Sequence, residues 1–108
     1  ERLTIMAHFI SVLTLRSAAG RLDEAFAQFM QGQVLETCRD AVPGFLSGRL
    51  LRSHDDENQA CVICEWTDRE AFEQWMSSPR RGSSGGANRI FEPAGRSALF
   101  EVVQELHR

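Results

Sequence analysis

One stretch, Ala60 to Pro79 (ACVICEWTDREAFEQWMSSP), narrows the folds open to this chain more than any other. Ala60 to Trp66 is apolar, β-branched or aromatic apart from Glu65, which reads as a strand covered on both faces. Thr67 stands where an N-cap would, with Glu70 three residues on, the pattern of a capping box. Behind it Ala71, Phe72, Trp75, Met76 and Pro79 recur at helical spacing. Asp68, Glu70 and Glu73 put negative charge near the positive end of the helix dipole. A strand that feeds directly into an amphipathic helix takes that helix as its nearest cover. Any hollow between the two would be walled by Trp66, Phe72 and Trp75.

The other elements fall into place around this unit. Ile5 to Leu15 is rich in β-branched and aromatic residues and predicts a first strand. Arg21 to about Arg39 predicts a helix. Leu22, Ala25, Phe26, Phe29, Met30, Val34 and Cys38 lie near the i, i+3, i+4 pattern, with Asp23 and Glu24 in the first turn. Gly32 inside it costs about 1 kcal/mol against alanine, so a bend or fray is expected there. Val42-Pro43-Gly44-Phe45 reads as a turn with Gly44 in its strained position. It leads into a second strand, Phe45 to Ser53. Residues 54–58 form a polar hairpin connection to the third strand, Ala60 to Trp66, and the second helix runs from about Asp68 to Ser77. Arg80 to Asn88 is a Gly-rich loop, and Ser97 to Leu106 reads as a fourth strand in preference to a helix. The order β-α-β-β-α-β predicts an α+β, ferredoxin-like fold, a four-stranded antiparallel sheet with both helices on one face. Strands one and three look apolar on both faces, so the bare face is expected to meet a second copy in a homodimer.

At 108 residues, 43% of them hydrophobic, the chain suits one domain spanning residues 1–108 with a real core. A net charge of −3 argues against a nucleic-acid partner, which would need a basic footprint. The longest apolar run, Ile5 to Leu15, is too short to span a bilayer, is interrupted by His8, Ser11 and Thr14, and lacks the shape of a signal peptide. A soluble, cytoplasmic protein with no membrane partner is therefore expected. Among the three cysteines, Cys61 and Cys64 make a C-x-x-C pattern, with Cys38 apart. On a strand their side chains face opposite ways, so neither a shared metal nor a disulfide is expected, and they read as buried apolar residues.

The segments Pro43-Gly44-Phe45, Cys64-Glu65-Trp66, Glu70-Ala71-Phe72 and Trp75-Met76-Ser77-Ser78-Pro79 resemble the antibiotic biosynthesis monooxygenase family of dimeric α/β-barrel proteins. The resemblance implies a pocket between the sheet and the helices of each protomer, with Trp66 inside it. Val62 and Cys64 share its face by strand parity, and the helix adds Phe72 and Trp75. It also implies a small oxygenase acting on an aromatic polyketide-type substrate in antibiotic biosynthesis. The family's haem-degrading branch carries an iron-ligating His soon after the W..SP segment. Arg80-Arg81-Gly82-Ser83-Ser84-Gly85 stands there instead, and the strand-one Asn of that branch is absent. Haem is thus disfavoured and no metal is expected. The polyketide oxygenases use a Tyr and an Asn in the pocket, where this chain aligns Phe72 and Val62.

Oxygenation without a metal needs an electron-rich substrate. A phenol or anthrone loses a proton, and its enolate passes an electron to O2. The protein supplies a base, a dry cavity and a polar partner for the developing anion. His8 is the candidate base, because imidazole titrates near neutrality. His8 and Trp66 are the candidate catalytic residues, and Trp66, Phe72 and Trp75 would stack a flat substrate. Arg80 or Arg81 would pair with a phenolate or carboxylate, or with flavin phosphate if reduced flavin is used. Each has a plainer reading. A lone His on an apolar strand is more often a satisfied core residue, the aromatics are core before they are pocket, and the arginines suit a helix C-terminus. Two other functions compete: a haem-binding or haem-degrading monooxygenase, and a non-catalytic dimeric module that binds a small molecule.

Overall fold

The computed structural model describes residues 8–82 and 89–108. At its centre, strand β1 (Phe9–Arg16) runs antiparallel to β3 (Gln59–Trp66), in unbroken register from Phe9 opposite Trp66 to Arg16 opposite Gln59. Strand β2 (Phe45–Arg52) flanks β3, with one irregularity between Phe45 and Ser47. Two short strands, β4 (Glu92–Pro93) and β5 (Ala98–Glu101), pair with β1. The order β2-β3-β1, then β4 and β5, is that of the expected ferredoxin-like α+β sheet. The Ile5–Ala7 end of the first strand and residues 83–88 of the Gly-rich loop lie outside the described residues. The fourth strand is shorter than Ser97 to Leu106: past Glu101 the last ladder contact is the Val102 N–H on the His8 carbonyl at 2.9 Å, and Val103 and Leu106 stand exposed.

The first helix is two. Helix α1 (Leu22–Gln31) and helix α2 (Val34–Ala41) are separated at Gly32 and Gln33, where Gln33 takes a left-handed φ of 52°. The expected bend is therefore a full break, placed where glycine already weakens the helix. Helix α3 (Arg69–Met76) begins one residue later than the capping-box reading required. Its N-cap is Asp68, whose carboxylate accepts the Ala71 N–H at 2.9 Å, while the Thr67 N–H bonds the Gly44 carbonyl at 2.8 Å. With the cap at Asp68, Ala71 and not a Glu occupies the third helical position, so the reciprocal box cannot close.

Gly44 also departs from expectation. Its φ lies outside the left-handed range, and a Cβ there would sit 2.6 Å from both the Ala71 Cβ and the Thr67 Oγ1. Glycine is required for the close approach of α3 to the turn, and not for backbone strain.

Two packed clusters fill the space between sheet and helices. One joins Leu15, Leu22, Ala25, Phe26, Ala60 and Phe91. The other joins Cys38, Val42, Cys64, Trp66, Ala71 and Phe72. Half-buried Val62 packs against both. Alternation along the strands sends Ile10, Val12, Ile63, Leu51 and Phe100 to the opposite, helix-free face, where Phe100 is 56% exposed.

Candidate active site

A cleft of about 520 Å³ opens beside the break between α1 and α2. Phe26, Phe29 and Met30 of α1, Leu35 of α2 and Leu50 of β2 give it an apolar wall. Asp23, Glu36 and Arg52 supply its charge. Leu50 and Arg52 reach it because β2 pairs them with Val62 and Ala60, which places both on the helix side of the sheet. Gly48, on the same side, lets Leu35 approach closely, since a Cβ there would lie 2.9 Å from the Leu35 Cδ2. The Arg52 guanidinium carbon lies 4.8 Å from the centre of the Phe26 ring, and Nη2 donates to Asp23 Oδ1 at 2.8 Å. A cation over an aromatic face, tied to a carboxylate, is thus fixed in the cleft wall.

The aromatic residues singled out from sequence come together next to this cleft, not around it. Trp66 is 1% exposed, with Phe45 and Phe72 edge-on at centroid distances of 5.6 and 6.0 Å. Its indole Nε1–H donates to Ser11 Oγ at 3.0 Å, which gives both buried polar groups a partner. Cys64 is buried, Phe72 packs on Phe9 as well as on Trp66, and Trp75 lies half-buried against the same cluster. Val62 stands opposite Leu50 and is the link between this cluster and the cleft. Trp66 and Phe72 pack on each other and Trp75 lies half-buried against the same cluster, while a cleft among the described residues opens at α1, α2 and β2.

His8 is not on that side. Its Nδ1 bonds Glu65 Oε2, and Glu65 alternates with the buried Cys64 and Trp66, so the pair sits on the helix-free face. The expectation that His8 would point into the pocket is corrected by strand parity, because Phe9 and not His8 meets Phe72. Arg80 and Arg81 lie exposed on a one-turn 3-10 helix after α3. Arg81 Nη1 donates to the Met76 carbonyl at 3.4 Å, the position that suits a cation at a helix C-terminus. Arg52, Asp23 and the Phe26–Met30 face were missed as site residues. Their signal is in the sequence, as the apolar face of α1 and the every-second-residue pattern Leu50, Arg52, but it does not separate wall from core.

Burial keeps the thiols neutral: Cys64 is pushed up to about 11, and Cys38 to about 12 by burial and then by the neighbouring Cys64. Cys61 lies on the opposite face from Cys64, opposite Thr14 and Leu51. Among the described residues no three His, Cys, Asp or Glu side chains gather as a metal site, and no helix is long and apolar enough to cross a membrane.

An antiparallel sheet, helices on one face and an apolar cleft beneath them define a ferredoxin-like α+β protein with room for a small molecule. The family model for antibiotic biosynthesis monooxygenase matches residues 9–82, and the chain belongs to that family. Two curated relatives from Mycobacterium tuberculosis, both described as mycobilin-producing haem oxygenases, are 35% identical over 65 residues. That match takes in 59% of this chain and 62% of the relatives, so the chain spans less than two thirds of their length. Among solved structures, SnoaB, a cofactor-independent oxygenase from Streptomyces nogalater, superposes with a TM-score of 0.73 at 24% identity, covering 94% of this chain and 99% of its own. The haem degrader MhuD of Mycobacterium tuberculosis, with two haems in its active site, gives a TM-score of 0.69 at 26% identity, covering 92% and 99%.

Protein ligands to haem iron are imidazole, thiolate, thioether or phenolate. Among the described residues the wall offers no His or Cys and Met30 as its one soft donor, and the chain has no Tyr. The residues that line the cleft match a flat aromatic body but not the usual axial ligation.

Proposed function

We propose that this chain is an oxygenase of flat, aromatic, polyketide-type substrates in secondary metabolism, which bind in the cleft between α1, α2 and β2. The observation that carries the reading is the cleft itself: an apolar wall for a ring system, one cation for a developing enolate or phenolate, two carboxylates, and no usual iron ligand beyond a thioether. The proton acceptor in this reading is Asp23 or Glu36, because His8 is held by Glu65 across the sheet. Arg52 stabilises the anion that deprotonation creates. Trp66, Val62, Cys64, Phe72 and Trp75 form the packed floor behind the cleft, and Arg80 and Arg81 steady the end of α3. The electron for O2 comes from the substrate's own enolate or from reduced flavin. The chain works as one cytoplasmic domain and pairs with a second copy through the helix-free face.

Oxygen uptake with an anthrone or a dihydroxynaphthalene, with and without reduced flavin, tests the activity. Met30→Trp, which fills the cleft from an exposed position, is expected to lower kcat/KM by at least about tenfold with little change in Tm, since a blocked site forfeits substrate positioning. Unchanged turnover in that variant would remove the cleft from the reaction. His8→Ala is expected to keep its turnover; a large loss would return His8 to the site.

The 35% identity to mycobacterial haem oxygenases favours a second reading, a haem-degrading monooxygenase. Titration with hemin separates it: a Soret shift saturating at one or two equivalents supports it. A protein that gives neither oxygen uptake nor a Soret shift is a binding module.

A further inference from the structure

We infer that Arg52 selects the substrate by charge: the cleft takes a flat aromatic that bears a carboxylate, and that carboxylate displaces Asp23 from the Arg52 guanidinium. The inference rests on the cleft proposed above as the substrate site. Among the described residues that line it, Arg52 is the single cation. The guanidinium is already ordered by Phe26 on its face and by Asp23 at Nη2, so little freedom remains to be lost when a ligand arrives. Its planar fork matches a carboxylate with two parallel bonds, which a lone phenol cannot supply.

Asp23 is placed to give way. Its side chain is 86% exposed, and an ion pair so open to water is weak. Once released, it keeps its place in the first turn of α1, where the helix dipole and water both favour a carboxylate. A ligand held against Phe26 and Leu50 brings its carboxylate to Arg52 from the apolar side, where the same pairing is stronger than in water. Glu36, the second acid of the cleft, has a cation nearby on its own helix. Arg39 is raised above its usual range chiefly by Asp40 and, to a smaller degree, by Glu36.

The test is calorimetric titration of the whole chain with 3-hydroxy-2-naphthoate and with 2-naphthol, which differ by the carboxylate. The native chain is expected to bind the naphthoate about tenfold or more tighter, the scale of a charge-assisted pair. Arg52→Gln lowers naphthoate affinity far more than 2-naphthol affinity and so removes that preference, Arg52→Lys restores part of it, and Asp23→Asn binds the naphthoate several-fold tighter. Equal affinity for the two probes, binding of neither, equal losses for both in Arg52→Gln, or weaker naphthoate binding in Asp23→Asn would each overturn the inference. If the preference holds while no aromatic supports oxygen uptake, the proposed activity falls and this site stands. If uptake occurs without the preference, only the role of Arg52 falls.

Discussion

Trp66 donates its indole N–H to the Ser11 hydroxyl at 3.0 Å, and both side chains are almost wholly buried. Trp66→Phe is expected to cost about 1–3 kcal/mol, because the Ser11 hydroxyl is left unpaired and a gap opens. Adding Ser11→Ala should recover part of that loss in a double-mutant cycle read by urea unfolding, and strict additivity would deny the coupling. The buried thiols predict a pH effect. Free thiol titrates near about 8.5, whereas Cys64 and Cys38 are pushed up to about 11 and about 12 in the fold. The unfolded chain therefore loses these protons first as pH rises. The stabilisation is complete below the free-thiol range and declines toward pH 11, by up to about 1.4 kcal/mol per unit for each thiol. Cys38→Ala should flatten that alkaline slope, measured between pH 8 and pH 10; an unaltered slope would remove the thiol as its source. At this scale the sequence put Trp66, Cys64 and Val62 on one face of their strand, since strand parity is local. It could not pair Trp66 with Ser11, which is 55 residues away.

At the scale of elements, helix α3 shows how fine the boundary signals are. Thr67 and Asp68 are both good caps, and the residue whose backbone is engaged elsewhere yields: the Thr67 N–H is taken by Gly44 of the preceding turn. Asp68→Ala is expected to cost about 0.5–2 kcal/mol of stability. Thr67→Ala should stay within about 0.5 kcal/mol in the same denaturation assay, and the reverse order would restore the capping box. The break after α1 follows the same logic. Gly32 was visible as a weak point, but whether it bends, frays or ends the helix depends on what lies underneath. Here Leu35 turns in over Gly48, and the space between the two helices becomes the cleft. The order of the four main strands was legible because each is a run of β-branched, aromatic or aliphatic residues bounded by turn signals, whereas the two-residue strand Glu92–Pro93 carries no such run. The last strand's length was not, because it depends on where its partner runs.

Across the whole molecule, the helix-free face and the C-terminal run are the parts left bare. The radius of gyration is 15.0 Å, against about 13 Å for a compact domain near this length, and Val103 and Leu106 are 93% and 89% exposed. A second copy is expected to cover this surface, so sedimentation should give a dimer and Phe100→Glu should shift it toward monomer with the fold retained by circular dichroism. A native chain that sediments as a monomer at all concentrations would sink that expectation. By itself the sequence determined the main strands and helices, their order and the ferredoxin-like sheet, since these follow from local periodicity and short-range pairing. Only the tertiary structure decided that His8 faces Glu65 on the far side, that Phe45 and Phe72 pack edge-on against Trp66, and that a cleft falls at Phe26, Leu35, Leu50 and Arg52. A void is the space that side chains from three separate elements fail to fill, and that sum is not written in any one of them.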